Sequence, residues 1–162
     1  MAPAEKSFYR IIQDTWLTTL GLPVERLSRP EIPDAMPLIV SVKISGAWEG
    51  QVYLQCSAPL ARLIAAVIFQ IEAEKATSEE ILDALSELVH IIGGNLKNLL
   101  PRPVELSLPM HFDSVIAIKH IPAEQVVCRL ALQTGGYPFG VTLWENLPLA
   151  NTGTLVGTNG TA

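Results

Sequence analysis

Asp83, Glu87 and His90 stand four and three residues apart in "DALSELVHIIGGNLKNLLP", where apolar residues repeat with helical period. That spacing puts all three on one side of a helix, each within about a turn of the next. Gly94 and Lys97 continue the same side. Gly93 and Gly94 each cost a helix interior roughly 1 kcal/mol against alanine. They also strip the helix of side chains, so another surface can come close to its backbone. An acid and a hydrogen-bonding imidazole beside a bare patch suit a docking face. The plain alternatives are a solvated helix surface and, for Gly93 above all, close packing or a mild kink.

A long helix must carry these residues. Thr77 and Glu80 form a T-x-x-E capping box, and the helix runs from there to about Leu100, roughly 35 Å at 1.5 Å per residue. Ile81, Leu85, Leu88, Ile92, Leu96 and Leu99 make its core stripe, and Pro101 and Pro103 end it. An earlier helix is expected from Ser7, its cap, to Leu20, with Phe8, Ile11, Ile12, Trp16 and Leu20 inward. Residues 21–37 form a proline-spaced connector. Ser57 caps a helix over "SAPLARLIAAVIFQI" with Pro59 in its first turn.

Strands are expected in "IVSVKIS", with Val40, Val42 and Ile44 inward, and in "GQVYLQCS", with Val52, Leu54 and Cys56 inward. The link "GAWEG" reads as a hairpin turn, with Gly46 and Gly50 supplying unusual backbone angles and Trp48 either folding back on the sheet or exposed as a contact for a partner subunit. "VIAIKH", "VVCRLALQ" and "FGVTLWE" read as three more strands. The class is α+β, a largely antiparallel sheet packed against long amphipathic helices. One domain over residues 1–146 is followed by a flexible Gly/Thr/Asn-rich tail, 147–162.

The totals exclude several functions. A formal charge of -5, with eleven scattered Lys and Arg, argues against a nucleic-acid partner. No apolar run reaches the roughly 18 residues that span a bilayer, and "MAPAEKSFYR" lacks the apolar core of a secretory signal. The expectation is therefore a cytoplasmic protein with no membrane partner. Cys56 and Cys128 fall in strand-like runs, where buried free thiols are expected over a disulfide. His90, His111 and His120 show no ligand-like spacing, so no metal site is expected. "GGNLKN" lacks the spacing of a P-loop, and no Ser-His-Asp or Cys-His nucleophile can be assembled.

Asp83, Glu87 and "IIGGNLKNLLP" resemble the CheX-like branch of the CheC/CheX/FliY chemotaxis phosphatases. That family's motif is Asp or Ser, three residues, Glu, two residues, Asn, and a later Pro. Asp83 and Glu87 match it, while His90 stands where the family has Asn. "GAWEGQVYLQCS" and Ser107–Pro109 are also similar to family segments, and the likeness spans about residues 8 to 145. The interval from His90 to Pro109 is shorter than the family's, so that proline is not carried over.

The resemblance implies hydrolysis of the phospho-aspartate of a response-regulator receiver domain of the CheY type. The receiver brings the phosphoryl group, a lysine and Mg²⁺, so the chain needs no cofactor of its own. Glu87 and His90 are then the catalytic positions, the first pairing with the receiver's lysine and the second orienting water. Asp83, Gly93, Gly94 and Lys97 become partner-binding positions. Relatives can dimerise through sheet edges, so a homodimer is also implied. His90 leaves three outcomes open: a working substitute, a weakened site, or receiver binding without turnover.

Overall fold

The computed structural model describes residues 3–29, 36–112 and 116–147. The expected tail lies outside them except for Leu147, as do Pro30 and Pro33 of the connector. Among the described residues the sheet has seven strands: β1 (Glu25–Arg26), β2 (Leu38–Gly46), β3 (Gly50–Cys56), β4 (Val104–Leu106), β5 (Met110–Phe112), β6 (Val126–Thr134) and β7 (Tyr137–Glu145). Their order is β1-β6-β7-β3-β2-β4, with β5 also on β2, and every pairing is antiparallel. The helices are α1 (Pro3–Leu20), α2 (Ala58–Phe69), α3 (Ser78–Leu96) and the short α4 (Ile116–Lys119). None among the described residues is long and apolar enough to cross a membrane.

Register explains the layering. Val40 faces Leu54 and Val42 faces Val52 across β2–β3, and Leu54 and Val52 face Val141 and Leu143 across β3–β7. These side chains share one sheet face with Leu130 and Leu132, and α1, α2 and α3 bury it in a single core. Trp16 of α1 stacks on Phe139 of β7, ring centroids 4.2 Å apart. Strand β3 is buried along its whole length because its other face is covered too. There Ile39 and Tyr53 pack with Ile118, Phe112 and Trp144, and Gln51 Nε2 donates to Ser41 Oγ at 2.8 Å.

Several expectations change. Helix α1 begins at Pro3, so Ser7 is an exposed interior residue rather than a cap. Proline is tolerated in a first turn and the following Ala, Glu and Lys are good helix formers, so the helix extends beyond its apolar face. "VIAIKH" is no strand in its described part, since residues 116–119 form a helical turn. Short apolar runs do not separate strand from helix by period alone. Gly46 has a φ of 123° as expected, but Gly50 does not have a positive φ. A side chain on Gly50 would collide with the Trp144 carbonyl and the Trp48 ring, so close approach selects that glycine. Trp48 does fold back on the core.

Candidate functional site on α3

The capping box forms at the start of α3. Glu80 N donates to Thr77 Oγ1 at 3.1 Å, and Thr77 N donates to Glu80 Oε1 at 3.0 Å. Downstream, Ala84, Leu85, Leu88, Val89, Ile92, Gly93 and Leu96 are buried, a stripe one residue wider on one side than the apolar pattern alone suggests. Helix α3 stops at Leu96 and a 3₁₀ turn spans Lys97–Leu99. The tighter turn advances each residue by about 120° rather than 100°, which rotates Leu99 off the stripe, leaving it 50% exposed. Proline at 101 disfavours helical backbone at Leu100, so the turn is not continued.

Asp83, Glu87, His90 and Gly94 are exposed along the opposite side, and Lys97 is half-buried at its end. Among the described residues the side chains of Asp83, Glu87, His90 and Lys97 make no hydrogen bond or ion pair. Their polar groups are free to meet a partner. Asp83, Ser86, Glu87 and His90 line one open depression of about 660 Å³ with Ile68, Phe69, Leu108 and Pro109. His90, Gly94 and Lys97 line a second of about 650 Å³ with Asn98, Glu105 and Leu106. His90 joins the two.

Gly93 does not belong to this surface. It is buried against the sheet, where an added Cβ would lie 2.9 Å from Val42 Cγ2 and 3.3 Å from Leu106 Cδ2. Its expected partner-binding role is thus corrected: the missing side chain lets α3 approach β2 and β4. Gly94, one residue on and about 100° round the helix, has nothing within 4 Å of such a Cβ. The two glycines serve different faces.

Residues 104–112 carry no strand signal in the sequence, yet β4 and β5 both pair with β2. The link between them carries Leu108 and Pro109 beside α3. Phe69 ends α2 and lines the same depression. An apolar residue that continues no core stripe was the available signal for both.

Other reactive groups stand apart. Cys56 and Cys128 are free and buried, and burial pushes both thiols up to about 12, so neither is a nucleophile. Among the described residues no three His, Cys, Asp or Glu side chains gather where they could hold a metal ion.

The family model described as "Chemotaxis phosphatase CheX" matches residues 38–128. The fold is similar to chemotaxis protein CheX from Vibrio vulnificus, with a TM-score of 0.69 at 14% identity, covering 90% of this chain and 97% of that one. The CheX–CheY–BeF3–Mg²⁺ complex from Borrelia burgdorferi matches with a TM-score of 0.68 at 16% identity, covering 88% and 97%. FliY from Thermotoga maritima matches at 0.56 and 17% identity, covering 90% and 92%. No curated protein has a sequence that matches.

Proposed function

The chain belongs to the CheX family of chemotaxis phosphatases, and from that premise we propose that it hydrolyses the phospho-aspartate of a CheY-like receiver docked on the exposed face of α3. The observation that carries this reading is the pairing of Glu87 and His90, one turn apart, unpartnered and open to the same depression. A CheX relative with this fold is known in complex with CheY, which supports the choice of partner.

Glu87 pairs with a lysine of the receiver and holds α3 in register over the acyl phosphate. His90 reaches toward the phosphorus. Its neutral imidazole accepts a hydrogen bond from water, aiming the water's lone pair at phosphorus, and can take the proton as attack proceeds. Water forms the new P–O bond while the bond to the aspartate oxygen breaks, leaving the carboxylate and inorganic phosphate. Such a step needs alignment and charge stabilisation more than covalent help. The receiver supplies the Mg²⁺ that offsets phosphoryl charge. Asp83, Gly94 and Lys97 extend the contact along the helix.

One observation favours a second reading. An imidazole is bulkier than the amide of the family motif and loses its acceptor when protonated. The chain then binds receivers without turnover and acts as an adaptor. Loss of phosphate from a phosphorylated CheY-like receiver, followed with wild type, Glu87→Ala and His90→Asn, separates the two. Wild-type hydrolysis that Glu87→Ala abolishes supports the phosphatase. Activity that appears only in His90→Asn supports the adaptor. A wild type that neither binds nor dephosphorylates any receiver refutes both.

A further inference from the structure

Leu108 is 86% exposed, the most exposed large apolar side chain among the described residues. Looseness does not account for this. Ser107 N donates to Lys43 O at 2.9 Å, Lys43 N donates to Ser107 Oγ at 2.9 Å, and Ser107 Oγ donates to Leu108 O at 2.9 Å. Two residues further on, Met110 pairs with Ser41 in the sheet. The backbone is held on both sides, so the leucine is presented rather than frayed. Phe69, 41% exposed at the end of α2, lines the same depression. Single exposed apolar residues are ordinary. Two from separate elements that line one depression with Asp83, Glu87 and His90 are not scattered surface.

Resting on the phosphatase-family reading above, we propose that Leu108 and Phe69 are apolar walls that grip the receiver on either side of its phosphorylated pocket. The receiver this fits carries apolar side chains flanking its lysine. Charge selects that occupant over a second copy of this chain. The depression they share also holds two carboxylates, Asp83 and Glu87. A two-fold self-contact there would set acids against acids, whereas a receiver brings a cation to the same place. Closing the walls also removes water from around the Glu87–lysine pair, which strengthens it.

The test measures affinity for a beryllofluoride-loaded receiver and, where hydrolysis occurs, its steady-state constants. Leu108→Ser is expected to weaken binding about tenfold, the scale of losing part of a buried leucine's burial, and to raise KM with kcat nearly unchanged. Thermal stability should not move, and Leu108→Met should retain affinity. Phe69→Ser should weaken binding similarly. Unchanged affinity in both serine variants, while wild type binds the receiver, overturns the proposal alone. So does a Leu108→Ser variant that loses only self-association. A wild type that binds no receiver removes the functional reading and this inference together.

Discussion

Gly93→Ala and Gly94→Ala make the same chemical change at neighbouring positions of α3, yet only the second should stabilise the protein. Each gains about 1 kcal/mol of helix propensity. At Gly94 the new methyl meets nothing within 4 Å, so the gain stands, worth roughly 2–4 °C in Tm for a chain of this size. At Gly93 the methyl would lie 2.9 Å from Val42 Cγ2. Val42 is fully buried and, being β-branched, has little rotamer freedom with which to yield. Overpacking of this kind costs about 1–3 kcal/mol, which offsets or exceeds the propensity gain. Propensity cancels between the two variants, so their difference, about 1–3 kcal/mol, isolates the cost of the close approach. Urea denaturation read at constant m measures it. Equal stabilisation by both substitutions would refute the assignment of Gly93 to the sheet side. Receiver binding supplies a second readout: Gly94→Ala should be the more stable protein and the weaker binder, and full affinity would remove Gly94 from the docking surface.

Other consequences follow from the caps and the thiols. Thr77→Ala should cost about 1 kcal/mol, and a Thr77–Glu80 double-mutant cycle should be non-additive because the two hydrogen bonds are reciprocal; additive losses would show that the box does not act as a unit. Cys56 has a folded value raised by burial from 9.0 to about 12, so both states hold its proton below 9 and only the unfolded chain releases it above. Stability should therefore fall from pH 9 toward 12, and Cys56→Ala should flatten that slope by up to about 1.4 kcal/mol per pH unit. An unchanged slope would show that the thiol does not resist ionisation in the fold.

Much of the scaffold was legible because its signals are local. The capping box and the repeat of Leu85, Leu88, Ile92 and Leu96 define α3 within one stretch of chain. Alternation in "IVSVKIS" and turn residues in "GAWEG" do the same for the first hairpin. Strands β4 and β5, three residues each, carry too little local pattern, and they exist by hydrogen bonding to β2, more than fifty residues away. Gly93 was partly legible, since it lies one turn from Val89 and Leu96 on the side that proved buried.

By itself the sequence determined the class, the long helix and the run Asp83, Glu87 and His90 along one side of it, because helical period and caps are properties of neighbouring residues. Only the tertiary structure decided what that side is. The placement of Leu108, Phe69 and Glu105 around His90, and the division of Gly93 from Gly94 between sheet and open groove, depend on contacts between distant segments. Such contacts arise from burial and pairing, and no local spacing encodes them.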